Sequence, residues 1–281
     1  MRVEKTIESL QGLIQIWTGT KQTIALVPTM GGLHDGHLSL IDVAKKNADK
    51  VIVSVYLNPT QFSKYEDFDS YPSSIDEDIN ELDRLGVDCV FVPSTDQIYP
   101  NGWSFDYDIG ELATILCGKS RPHFFHGVAQ VVYRLFDIVK PDIAVFGEKD
   151  FQQLLVIRRM VDELSMGIDI LSHSIVRESD GLAMSTRNKY LNDKDRLKAR
   201  LLSVAINRAK GDYMSGSTIE QITTNLRQDL RATFELDYAE IIDANNLKKI
   251  TNNTAQIGIL CAVMLGSTRL IDNVTFRRQD V

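Results

Sequence analysis

Five short apolar runs, at residues 24–27, 51–57, 87–92, 143–146 and 168–176, constrain the folding of this chain more than any other feature. Most are near-continuous and rich in Val and Ile, the pattern of parallel strands buried on both faces. Stretches of helical period lie between them. After His37 the apolar positions Leu40, Ile41, Ala44 and Ala48 recur at threes and fours, and residues 128–138 and 151–164 read similarly. Strands alternating with helices predict a doubly wound α/β domain over residues 1–176. Beyond it the pattern changes. Two amphipathic helices, 193–210 and 218–232, precede strand-like runs at 236–242, 257–265 and 269–275, which predicts a second, smaller α+β domain over residues 177–281.

Composition narrows the function classes. The net charge is -7, with acidic residues spread along the chain, so the basic face of a nucleic-acid-binding protein is missing. Small anionic ligands stay open, because they need only a local positive pocket. No apolar run reaches the length that crosses a bilayer, and Arg2, Glu4 and Lys5 stand where a signal peptide would have its apolar core. Cys89, Cys117 and Cys261 are odd in number and far apart, matching neither a disulfide framework nor a metal-ligand spacing. A reducing cytoplasm is the expected compartment.

In an open parallel sheet, ligands bind outside the carboxyl ends of the strands, so the residues that follow each run matter most. After the first comes Pro28-Thr29-Met30-Gly31-Gly32-Leu33-His34-Asp35-Gly36-His37, and after the second Asn58-Pro59-Thr60-Gln61-Phe62. The run at 143–146 is followed by Gly147-Glu148-Lys149-Asp150. Gly31 and Gly32 let backbone approach a ligand, and a helix beginning near Asp35 turns free N–H groups toward the same place. His34 and His37 lie one helical turn apart, so both imidazoles can donate to a phosphate there; equally, His37 can serve as a cap. No third histidine or cysteine lies nearby for a metal. Lys149 reads either as a point charge for a phosphate or as a solvated helix-start charge. Asp150 reads either as a ribose acceptor or as the N-cap of the helix opening at Phe151. Gln61 and Gln153 suit a small polar substrate, or a plain surface.

Taken in order, "PTMGGLHDGH", "NPTQF", "YPSSIDED", "RPHFFHGV", "FGEKDFQQ" and "DGLAMSTRNKYL" resemble the motifs of the pantothenate synthetase (pantoate–β-alanine ligase) family over essentially the whole chain. The His-x-Gly-His at His34 to His37 is also similar to the signature of the wider nucleotidyltransferase superfamily, which implies a Rossmann-like domain holding ATP. The resemblance implies that pantoate, ATP and Mg²⁺ give pantoyl adenylate and pyrophosphate, and that β-alanine then displaces AMP to give pantothenate. It places Met30, Gly31, Gly32, Leu33, His34, Asp35, Gly36 and His37 at ATP, with His37 as phosphate stabiliser and proton donor. Gly147, Glu148, Lys149 and Asp150 join them, Lys149 on the α-phosphate and Asp150 on the ribose. Val176 would meet adenine, and Met184, Ser185, Thr186 and Arg187 would close over the phosphates. Gln61 and Gln153 would bind pantoate, with Gln61 near β-alanine, and Glu77 and Asp78 fall in the acidic stretch associated with Mg²⁺. A homodimer is also implied.

Three positions depart from the family pattern. Gly32 replaces the usual alanine, Thr186 replaces the second of two serines, and Phe124 occupies the usual histidine position between His123 and His126. Two rival readings make different demands. A transferase acting on a phosphate ester would need cationic contacts in place of Gln61 and Gln153. A nucleotide-sensing module without turnover would have lost some of His34, His37, Lys149, Ser185 and Arg187, all of which are present.

Overall fold

Ile24, Ala25, Leu26 and Val27 are all buried to within 1% of completely, because their strand lies inside a sheet covered on both faces. The structure, a computed structural model, describes residues 1–63 and 66–278. In chain order its elements begin β1 (Arg2–Glu4), α1 (Ile7–Gly19), β2 (Ile24–Thr29), α2 (Asp35–Asn47), β3 (Lys50–Val55), α3 (Ile75–Arg84) and β4 (Cys89–Phe91). Two single turns, α4 (Thr95–Ile98) and α5 (Cys117–Ser120), lead to α6 (Phe124–Val139), β5 (Ile143–Gly147), α7 (Phe151–Glu163) and β6 (Asp169–His173). One compact unit takes in Met1–Glu148 and Val156–Ser174; the second takes in Lys149–Leu155 and the chain from Ile175 onward. The first turn of α7 thus groups with the second unit.

In the first unit six strands pair in the order β1-β4-β3-β2-β5-β6, all in parallel. From β2 the chain builds outward through β3 and β4, then crosses to β5 and β6 on the other side. That reversal between β2 and β5 opens a crevice at the carboxyl ends of the strands. Ala25 and Val27 join Val51, Val53 and Val145 beneath Leu40, Ile41 and Ala44 of α2. The alternate side chains of β2 face the other way, toward the side where α6 packs on the strand and α1 on α6. Each large aliphatic side chain fully buried there contributes roughly 1.5–3 kcal/mol. The strand β1 is absent from the sequence reading. Arg2, Val3 and Glu4 are too few and too charged to read as a strand, and they form an edge paired to β4, where short charged strands belong.

The second unit adds α8 (Asp193–Ala199), α9 (Leu201–Met214), α10 (Ile219–Arg231), β7 (Glu235–Asp243), β8 (Gln256–Leu265) and β9 (Thr268–Arg277). Its three strands pair antiparallel in the order β7-β8-β9. Alternate residues of β8, namely Ile257, Ile259, Cys261 and Val263, share one core with Leu202 and Ile206 of α9 and Ile222, Leu226 and Leu230 of α10. Thr218 and Gln221 close a capping box at the start of α10. The stretch 193–210, read as one helix, is two helices that meet at Arg200, whose own φ of -58° and ψ of -24° remain helical.

Candidate active site

The turn that follows β2 carries the main group of site residues in the first unit. Gly31 and Gly32 have φ of +82° and +66°, a left-handed pair that side chains with a Cβ resist. The chain then enters α2 with His34 as N-cap: its Nδ1 accepts from the Gly36 N–H at 3.1 Å. A nitrogen that accepts carries no hydrogen, so the neutral His34 ring bears its proton on Nε2 and presents a donor. His34, not His37, is therefore the capping residue. The His37 N–H donates to the His34 carbonyl at 2.7 Å, and the two imidazole centroids lie 4.0 Å apart. Two imidazoles beside a helix N-terminus, at the switch point of a parallel sheet, are the kind of groups that hold an anion. A Cβ built on Gly147, at the end of β5, meets nothing within 4 Å, so the backbone there is open to approach.

Gln61 is 8% exposed and sits in a 3-10 turn, Pro59–Gln61, N-capped by Asn58. Asn58 Nδ2 donates to Gln61 Oε1 and to the Gly127 carbonyl, each at 3.0 Å, which leaves Gln61 Nε2 to donate to Met30 Sδ at 2.8 Å. The structure thus brings Met30 of the glycine turn and Gln61 of the next loop together. The sequence places Asn58 after the second run but assigns it no role, although Asn before Pro at the first helical position is a recognisable cap signal. Arg121, which opens "RPHFFHGV", is likewise unassigned there. It pairs with both Glu66 carboxylate oxygens, at 2.6 and 3.0 Å, donates to the Gln61 carbonyl at 3.3 Å, and lies 3.7 Å over the Phe124 ring. A guanidinium fork and a flat ring together fix the segment that bears Gln61.

Glu77 and Asp78 part company. Successive helix residues point about 100° apart, and here Glu77 is exposed whereas Asp78 is buried. The Asp78 oxygens accept the N–H groups of Gly32 and Leu33, both at 2.8 Å. The two carboxylates do not converge on one ion, and among the described residues no three His, Cys, Asp or Glu side chains cluster as a metal site. As a chelating pair for Mg²⁺ they do not fit.

In the second unit the Lys149 carbonyl accepts from Asn273 Nδ2 at 3.0 Å, so β9 anchors the Lys149–Leu155 segment that also carries Asp150 and Gln153. The N–H of Met184 donates to the carbonyl of Val176 at 3.0 Å, closing a hairpin at the Arg177–Ala183 bridge. Ser185 then caps the 3-10 turn Thr186–Tyr190 by accepting from the Arg187 N–H at 3.3 Å. Arg177 supports the hairpin from beneath, bidentate to the buried Asp272 at 2.7 and 2.9 Å and bonded to the Gly181 carbonyl.

A doubly wound parallel sheet with a glycine turn and paired imidazoles at its switch point defines a nucleotide-binding α/β protein. Comparison with known proteins narrows that class. Residues 2–275 match the family model described as pantoate-beta-alanine ligase. The chain is 54% identical over 268 residues to the pantothenate synthetase of Vesicomyosocius okutanii, covering 95% of each, and 41% identical over 279 residues to that of Acetivibrio thermocellus, covering 98% of this chain and 99% of that one. It superimposes on the crystal structure of pantothenate synthetase from Thermus thermophilus with a TM-score of 0.92 at 37% identity, covering 98% of this chain and 99% of the other. The pantoate-beta-alanine ligase of Francisella tularensis, solved in complex with Beta-gamma ATP and beta-alanine, matches with a TM-score of 0.79 at 35% identity, covering 98% of this chain and 97% of the other. The chain belongs to the pantoate–β-alanine ligase family.

Proposed function

We infer that this chain condenses pantoate with β-alanine at the expense of ATP, giving pantothenate, AMP and pyrophosphate. The observation that carries the reading is the imidazole pair, 4.0 Å apart at the N-terminus of α2, in a chain that matches this family over residues 2–275. The Francisella relative, solved with Beta-gamma ATP and beta-alanine, supports ATP and β-alanine as ligands. A free carboxylate is a poor acyl donor because its leaving group would be oxide. In the first step a pantoate carboxylate oxygen therefore bonds to the α-phosphorus as the bond from that phosphorus to pyrophosphate breaks. In the second step the β-alanine amine attacks the acyl carbon, AMP leaves with the bridging oxygen, and the amine gives up a proton.

The chain's own work is positioning and charge stabilisation. His37 and His34 donate to the phosphates, His37 also supplying a proton as charge develops. Met30, Gly31, Gly32, Leu33, Asp35 and Gly36 shape the ATP side of the turn, and Gln61 and Gln153 orient pantoate. To ATP we also assign Gly147, Glu148, Lys149 and Asp150, the Val176 backbone for adenine, and Met184, Ser185, Thr186 and Arg187 for the phosphates. On this reading residues 1–176 bind ATP and pantoate, and residues 177–281 act as the lid. Mg²⁺ enters as the companion of ATP's phosphates, with no step routed through Glu77 or Asp78. We place the enzyme in the cytoplasm as a homodimer, and no described helix is long and apolar enough to cross a membrane. The test is product formation: AMP and pantothenate should appear in equal amounts only when ATP, pantoate and β-alanine are all supplied. AMP release indifferent to pantoate would refute the assignment.

A further inference from the structure

We propose that Asp78 is a positioning residue of the ATP turn, a built-in anion that holds the Gly32 and Leu33 amides in place and steers phosphate toward the imidazoles. Two consecutive backbone N–H groups aimed at one point form an anion-binding nest. Here the protein fills the nest itself. Asp78 reaches across 46 residues of sequence to accept from Gly32 at 2.8 Å with one oxygen and from Leu33 at 2.8 Å with the other, and it is 4% exposed. Its own backbone is fixed in α3, where its N–H donates to the Ser74 carbonyl at 3.0 Å. The fit is close on the opposite side too: a Cβ on Gly31 would lie 2.8 Å from Asp78 Oδ2.

Three consequences follow from the charge. Bonds from N–H to a carboxylate are stronger than neutral ones, so the left-handed pair Gly31 and Gly32 is held against relaxation. A phosphate arriving at this turn meets a carboxylate where bare amides would otherwise have attracted it. Phosphate is drawn instead toward the paired imidazoles of His34 and His37 and the positive end of the α2 dipole. Asparagine at position 78 would keep the size but present an NH₂ to one of the two N–H groups, a donor facing a donor.

The proposal rests on the reading of residues 30–37 as the ATP turn, and its test separates the two. Full-length wild type, Asp78→Asn and His37→Ala are compared by pantoate-dependent exchange of labelled pyrophosphate into ATP, varying ATP, pantoate and Mg²⁺ in turn. For Asp78→Asn the KM for ATP should rise roughly tenfold, while the KM for pantoate and the half-saturating Mg²⁺ stay at wild-type values; a role confined to folding would not split them. Amide hydrogen exchange by NMR on nucleotide-free wild type should show Gly32 and Leu33 protected. A raised Mg²⁺ requirement in Asp78→Asn would make the residue a metal ligand and overturn the proposal. So would free exchange of both amides in the wild type, a result that stands even if the variant does not fold. If those amides are protected but neither variant alters pyrophosphate exchange, the ATP-turn reading has failed and the kinetic claim goes with it.

Discussion

A Cβ added to Gly127 would fall 2.4 Å from the Thr60 carbonyl oxygen and 2.8 Å from the Gln61 nitrogen. The glycine on α6 is therefore what allows the Gln61 turn to sit against the helix, with Asn58 bonded to both. Gly127→Ala should cost about 1–3 kcal/mol, the usual penalty of overpacking, and should raise the KM for pantoate more than that for ATP. Urea denaturation and initial-rate kinetics check the two parts separately. His37→Ala should lower pantoate-dependent pyrophosphate exchange by roughly 10²–10³-fold, the scale of removing one donor to developing charge, with an unchanged unfolding midpoint. At this scale the sequence was legible in placement: the turn after β2 sets His34 beside His37, and Gln61 lies against Met30 of the same turn. It was not legible where a side chain's meaning depends on a distant partner. Asp78 reads as one carboxylate in an acidic stretch, yet it lies four residues before the fully buried Leu82, on the buried face of α3. Phe124 gains its meaning from Arg121, whose guanidinium needs a flat surface. Gly32, at φ +66°, takes a conformation that a residue with a Cβ would strain.

Among the elements, the hairpin that leads into residues 184–187 is held by a local ion network. Arg196 of α8 pairs with Glu178 and, at 3.0 Å, with Asp180, while Asn188 donates to Glu178 at 2.7 Å. The Arg196 hydrogen bond, outweighing burial, holds the Asp180 carboxyl below its ordinary value. A carboxylate depressed in the folded state stabilises the fold above its unfolded pKa of about 3.9, and loses that contribution as pH falls through the folded value. Arg196→Met should therefore be less stable than wild type at pH 7 by about 1–2 kcal/mol, and the difference should shrink below about pH 4. Urea midpoints at the two pH values measure it; a gap that persists or widens in acid would refute the network's role. Strands were legible because Val- and Ile-rich runs mark burial on both faces, but their ends were not. The run at 168–176 yields a strand only at Asp169–His173, after which the chain turns into the hairpin. The break at Arg200 was hidden because the helical period runs through it unchanged.

For the whole molecule, the strand order follows from local rules and one reversal. Parallel pairing was expected from the unbroken apolar runs, and the six-stranded sheet has it throughout. What no linear reading supplies is the grouping of Lys149–Leu155 with residues beyond Ile175, since it depends on β9 reaching back through Asn273 to the Lys149 carbonyl. This enzyme activates a carboxylate as its adenylate before any amine is used. Isotope exchange of labelled pyrophosphate into ATP, with Mg²⁺ present and β-alanine omitted, tests that claim directly. Exchange should require pantoate and need no β-alanine. Folded, ATP-binding protein that shows no exchange under those conditions would contradict the two-step mechanism.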